Sequence, residues 1–314
     1  MKRLRIYQDK RFREHPAGEG HVESAERLKI VEAAIDNSAI LHDAEFSDAV
    51  FVDPKLLRKV HTAEYLESIE QQCNDNSTIL TAEIIVAPKS WQAALLGAGA
   101  CADAVNSVLS NEIDYAFIAP RPPGHHAESN QALGFCLINN VAVTAMAALE
   151  SGVKRVAILD WDLHHGNGTQ EIFWNEPRVL FMSMHQRNLY PAFSGNERET
   201  GGPEAPGKTL NLPLEPGTGN EVLSDIFRQN LTPELEKFKP ELILISAGFD
   251  GHREDPLGRL LFTEDGFEFM TKEILQWSKK FGCGIVSVLE GGYGLKSLAD
   301  STVVHLETIV RSDS

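Results

Sequence analysis

A chain of 314 residues with 42% hydrophobic and 24% charged side chains has the makeup of a globular protein that buries a sizeable core. A formal net charge of −16 argues against nucleic acid as a main partner. Four cysteines without a CxxC pair (Cys73, Cys101, Cys136, Cys283), a basic start lacking an apolar core (MKRLRIYQDKRFR) and an apolar stretch broken by Asp103 exclude a disulfide framework, a signal peptide and a membrane span, and point to the cytoplasm.

Leu4 to Tyr7 reads as a first strand, and residues 9–23 as loop, broken by Pro16, Gly18 and Gly20. Ser24 is placed to cap a helix through Ile35; Pro54 and Thr62 open two more. Residues 73–82 are polar and loop-like, and 91–109 form a small-residue helix suited to close packing on a sheet. Apolar runs at 115–119, 155–159, 179–184, 242–247 and 284–289 read as buried strands, with helices near 139–150, 219–238, 264–280 and 295–310. The Gly/Pro-rich region 191–217 reads as a long surface loop. Strands alternating with helices, without repeat or linker, indicate α/β architecture: one domain, 1–314, around a parallel sheet covered on both faces.

The reactive residues fall where such sheets bind ligands, beyond the carboxyl ends of strands. His125 and His126 follow one strand; Asp160, Asp162 and His164 the next; Ser183 and His185 close another; Asp250 and Tyr293 follow the last two. Residues two apart in a strand share a side, so Asp160, Asp162 and His164 are set to face together. Asp162, His164 and Asp250 would supply three ligands with a fourth position open, the arrangement of a catalytic zinc. An imidazole pair in a Pro/Gly-stiffened loop suits general base and acid work. Tyr293, among glycines in EGGYG, is placed to donate to a developing oxyanion. Each has a plainer reading: a turn former for Asp250, hydrogen-bonded loop histidines, a packing tyrosine.

RPPGHHA (121–127), GFCLINN (134–140), DWDLHHGNGTQ (160–170), SAGFD…DPLG (246–258) and LEGGYG (289–294) together resemble the histone deacetylase and acetylpolyamine amidohydrolase superfamily. Their order and spacing match over nearly the whole chain, from HPAGEGHVESAERL (15–28) onward. The resemblance implies the arginase–deacetylase fold, an α/β domain with its metal at the strand ends of a central parallel sheet.

By matching positions, the resemblance implies one zinc ion per chain held by Asp162, His164 and Asp250, with His125 and His126 as the tandem dyad and Tyr293 as the transition-state tyrosine. Asp160 would stand behind His125 and also bind a structural potassium, with the Ser183 hydroxyl and the carbonyls of Asp162, His164 and Met184. Asn167 stands where some members carry a second aspartate, and an amide cannot raise His126's basicity as a carboxylate does. Gly134, Phe135 and Tyr190 match the acyl-lysine tunnel, and Arg27 an arginine below the zinc. The implied reaction is hydrolysis of an N-acetyl amide on a lysine side chain.

Leu257 occupies the position where polyamine-preferring members often carry an acidic gatekeeper, which favours an acetylated lysine peptide or protein over an acetylated polyamine. The short 73–82 loop leans the same way; Asp75, Glu83 and Glu128 are acids that would suit a cation at the rim. A binuclear ureohydrolase would need further ligands, and a silent binding module would have lost some of these positions. Neither a nucleic-acid nor a membrane partner is expected, and a homo-oligomer stays open.

Overall fold

The computed structural model describes residues 3–75, 79–81 and 83–312. Of the polar stretch 73–82, residues 76–78 and 82 therefore lie outside the described residues, as do Met1 and Lys2 of the basic start. The strands are β1 (Leu4–Tyr7), β2 (Ala44–Ser47), β3 (Tyr115–Ile118), β4 (Val156–Asp160), β5 (Val179–Gln186), β6 (Thr209–Leu214), β7 (Leu242–Ala247) and β8 (Gly284–Leu289). They form one all-parallel sheet in the order β2-β1-β3-β8-β7-β4-β5-β6. Parallel strands are covered by their crossover helices on both faces, which is why YAFI, VAILD and LILISA are apolar without alternation and buried at every position.

The helices are α1 (Ala25–Asp36), α2 (Ile40–Asp43), α3 (Pro54–Leu57), α4 (Ala63–Asn74), α5 (Pro88–Leu109), α6 (Asn140–Glu150), α7 (Asn167–Phe173), α8 (Leu223–Ile226), α9 (Thr232–Phe238), α10 (Glu264–Phe281) and α11 (Leu295–Arg311). The small residues of α5 serve close approach: a Cβ on Gly99 would lie 1.8 Å from the Val50 carbonyl oxygen, so only glycine lets the 50–52 segment cross the helix. Among the described residues, no helix is long and apolar enough to cross a membrane.

Several expectations need correction. The 191–217 region is not all loop, because Thr209–Leu214 adds the edge strand β6, where Pro213 is tolerated. The opposite edge, β2, carries the unremarkable sequence AEFS and has no apolar run to announce it. The 219–238 helix is broken into a 3₁₀ turn (Asn220–Val222), α8, a π turn (Phe227–Leu231) and α9. Lys10–Glu14, within the expected loop, is a 3₁₀ turn, and Cys73 and Asn74 still belong to α4. Ser24 precedes α1 but makes no side-chain cap bond; Thr62 does cap α4, its hydroxyl accepting from Tyr65 N–H at 3.3 Å.

Candidate functional site

The five strands whose carboxyl ends carry the reactive residues, β3, β8, β7, β4 and β5, are the five contiguous middle strands of the sheet. Sequence-distant side chains therefore converge on one spot. Asp162, His164 and Asp250 offer ligand atoms that all lie within 4.8 Å of one another, all three residues being buried. His164 Nδ1 sits 3.1 Å from Asp162 Oδ1 and 3.1 Å from Asp250 Oδ2. Backbone donors orient both carboxylates: Gly291 N–H donates to Asp162 Oδ2 at 2.8 Å, and Leu163 N–H to Asp250 Oδ1 at 2.8 Å.

The electrostatics of this cluster call for a cation. Burial and the neighbouring Asp162 push the Asp250 carboxyl up to about 7. Burial opposes a charge on His164, yet Asp162 and Asp250 outweigh it and raise the imidazole to about 10. Two buried carboxylates and one imidazole, with positive charge favoured between them, fit a borderline divalent ion such as zinc. Among the described residues this is the single group of three or more His, Cys, Asp or Glu able to hold an ion, which offers no support for a binuclear centre.

Beside the cluster lie the two histidines, ring centroids 4.0 Å apart and both buried. His125 Nδ1 lies 3.0 Å from Asp160 Oδ2, and His126 Nδ1 lies 2.8 Å from Asn167 Oδ1. The two rings are driven apart in character. Burial works against a charge on His125, but Asp162 and Asp160 hold it well above the usual imidazole range. Burial, His125 and His164 together hold His126 well below it. A proton is thus favoured on His125 and disfavoured on His126. Gly134 (φ +48°) permits this packing, since a Cβ there would lie 2.2 Å from the His126 ring.

Aromatic groups surround the pair. Tyr190 stands edge-on to His126 at 5.0 Å, and Phe135 edge-on to Tyr293 at 6.1 Å. Burial and then the exposed Glu83 carboxylate raise the Tyr190 phenol. Burial holds the Tyr293 phenol well above its ordinary range, against the pull of Arg27, whose guanidinium lies 5.0 Å from the ring centroid. Leu257 is partly buried and packs on the core, its N–H donating to Asp255 Oδ1 at 2.9 Å. Ser183 is the register partner of Asp160 across β4 and β5, and its hydroxyl lies 2.9 Å from His185 Nδ1; Met184 is buried beside it. Asp75 is the residue that follows α4.

Of a layer of supporting charges, sequence reasoning found Arg27 alone. Glu290 Oε2 accepts from the N–H groups of Gly124 (2.7 Å) and His125 (3.1 Å), fixing the histidine loop. Asp255 Oδ2 accepts from Tyr293 N–H (2.6 Å) and Gly294 N–H (3.0 Å). Arg27, fully buried, donates to the Gly292 carbonyl at 2.7 Å and the Glu290 carbonyl at 2.5 Å. Glu23 pairs with both Arg27 (3.3 Å) and Arg121 (2.8 Å). A charged triplet in HVESAERL is a weak signal, because its partners lie 98 residues along the chain for Glu23 and as far as 265 for Arg27. A separate cleft of about 680 Å³, lined by Tyr115, Leu275, Cys283 and Arg311 among others, opens at the amino ends of β3 and β8. It contains no converging ligand set among the described residues; the candidate ligand cluster lies at the other end of the sheet.

The family model described as the histone deacetylase domain matches residues 21–309. A histone deacetylase-like amidohydrolase of Pseudomonas aeruginosa is 37% identical over 280 residues, covering 88% of this chain and 74% of the relative. A probable deacetylase of Archaeoglobus fulgidus is 38% identical over 291 residues, covering 91% and 80%. The crystal structure of the HDA15 HD domain superposes with a TM-score of 0.92 at 32% identity, covering 98% of this chain and 90% of that one.

Proposed function

The chain belongs to the histone deacetylase family, a family of hydrolases, and on that premise we propose that it removes acetyl groups from lysine side chains. The observation that carries this reading is the buried His126 set beside the Asp162–His164–Asp250 cluster at the sheet's carboxyl end. Asp162, His164 and Asp250 would hold a zinc ion, which would supply Lewis acidity toward the acyl carbonyl and toward water. His126 accepts a proton from the water that attacks the acyl carbon, then delivers one to the amine nitrogen as the C–N bond breaks, giving acetate and a free amine. His125, where Asp162 and Asp160 favour positive charge against burial, stabilises negative charge as it develops. Tyr293 stays protonated through any ordinary pH and donates its hydroxyl to the oxyanion. Phe135 and Tyr190 wall the acyl-lysine stem, with Gly134 keeping space for the His126 ring. Asp160, Ser183 and Met184 are the proposed holders of a structural potassium. The buried, unpaired cysteines suit the reducing cytoplasm.

Leu257 is neutral and favours the uncharged acyl-lysine; Glu83, exposed beside Tyr190, is the feature that would favour a cationic polyamine instead. Comparing kcat/KM of zinc-loaded enzyme on an acetyl-lysine peptide and an N-acetylated polyamine decides between them. We expect the peptide to win. A polyamine preference would overturn the lysine assignment and make Glu83 the specificity residue.

A further inference from the structure

The two histidines are held from behind by different chemistry. Asp160 can only accept, so it fixes the proton of His125 on Nδ1. Asn167 can present either end of its amide to His126, and the end it presents decides which ring nitrogen is protonated. That choice is made on the far side of the amide. Asn167 Nδ2 donates to Glu128 Oε1 at 2.8 Å. A carboxylate has no proton to give, so the amide nitrogen must face Glu128 and the amide oxygen must face His126. The oxygen, 2.8 Å from Nδ1, accepts only from Nδ1–H, and Nε2 is left with the lone pair.

We propose that Glu128 is a positioning residue that sets the tautomer of His126 through Asn167. The inference rests on His126 acting as the proton acceptor, as in the function proposed above. With the amide reversed, its NH₂ would donate to Nδ1, the ring proton would move to Nε2, and the imidazole would be a base with its lone pair pointing the wrong way.

The surroundings suit the role. Glu128 is anchored by its backbone, its N–H donating to Gln131 O (2.9 Å) and its carbonyl accepting from His61 Nδ1 (2.9 Å). Asn167 is buried at the start of α7. The weak second contact of Asn167 Nδ2, 3.5 Å from the His126 carbonyl, favours the same orientation. An amide in the place of an aspartate thus still imposes one proton position, because a carboxylate stands one bond further out.

Charge reversal tests this. A lysine at 128 can only donate, so Glu128→Lys should turn the amide over, lowering kcat by about tenfold or more with KM little changed. In an Asn167→Asp background the carboxylate accepts from His126 whatever stands at 128, so adding Glu128→Lys there should change kcat less than threefold. Equal losses in both backgrounds would mean that Glu128 merely supports the loop, and would overturn the proposal. A second readout needs no turnover: ¹⁵N spectra of histidine-labelled protein, with the His126 signal assigned by its loss in His126→Gln. Nδ1–H in the unaltered protein, Nε2–H in Glu128→Lys and a mixture in the equal-volume Glu128→Gln are expected. Nδ1–H in all three would overturn the inference, even if neither substrate class were hydrolysed.

Discussion

Single atoms decide much of this site. A Cβ on Gly291 would lie 2.1 Å from Asp250 Oδ2 and 2.6 Å from Asp162 Oδ2, so Gly291→Ala forces two carboxylates of the cluster to move. The backbone N–H that orients Asp162 comes from the same residue. Zinc affinity, read by competition with a chelator, should fall about 10–100-fold, the range of lost supporting contacts, while far-UV circular dichroism stays unchanged. Unaltered affinity would mean that the ligand cluster lies elsewhere. Tyr293→Phe removes a hydroxyl and nothing else. If that hydroxyl meets the oxyanion, kcat should drop about 10²–10³-fold with KM nearly constant. A loss confined to KM would make Tyr293 a packing residue.

At the scale of elements, the loop after β8 is tied to the loop after β7 by one carboxylate. Asp255 receives N–H groups from Tyr293, Gly294 and Leu257, so the tyrosine and the proposed specificity position hang on the same side chain. Asp255→Ala would strand three donors, each costing about 1–3 kcal/mol if it stays buried. We expect lowered kcat on both substrate classes and a lowered melting temperature; an enzyme impaired in neither would show that the loops hold themselves. The same scale explains what could be read from the sequence. The middle strands were legible because burial on both faces leaves unbroken apolar runs, and the order of the site residues along the chain is the order of strand ends. The edge strands β2 and β6 were not, since half-exposed strands need no such run and β6 even contains Pro213. Arg27 looks like the polar face of α1 and Glu23 like the loop before it, yet both are buried, because their partners come from the β3 and β8 loops. Local periodicity carries no information about charges matched across the fold.

Across the whole molecule, the sheet is locked to its helices by buried polar groups far from the site. His305 of α11 bridges α10 and β8, its Nδ1 lying 2.8 Å from Thr271 Oγ1 and its Nε2 3.0 Å from Ser287 Oγ. Its ring meets Trp161 edge-on at 5.5 Å, immediately before the cluster residue Asp162, and also approaches Phe117 and Phe249. Burial alone pushes this imidazole down to about 3. Its folded pKa is thus below the unfolded value near 6.5, and the unfolded chain binds the extra proton throughout the interval between them. The stability it contributes is complete above pH 6.5 and is lost as pH falls toward 3. Other groups titrate in the same interval, including Asp250 and Glu290, raised to about 7, which pull the opposite way. A difference between two proteins cancels them. His305→Gln, unable to take up the proton, should be less stable than the unaltered chain at pH 7, and the gap should narrow by roughly 1.4 kcal/mol for each pH unit below 6.5. Urea unfolding of both at pH 7 and pH 5 reads this directly. A gap that stays constant would mean that His305 is charged in the fold, and the Thr271–Ser287 bridge would then be only a geometric link between α10 and β8.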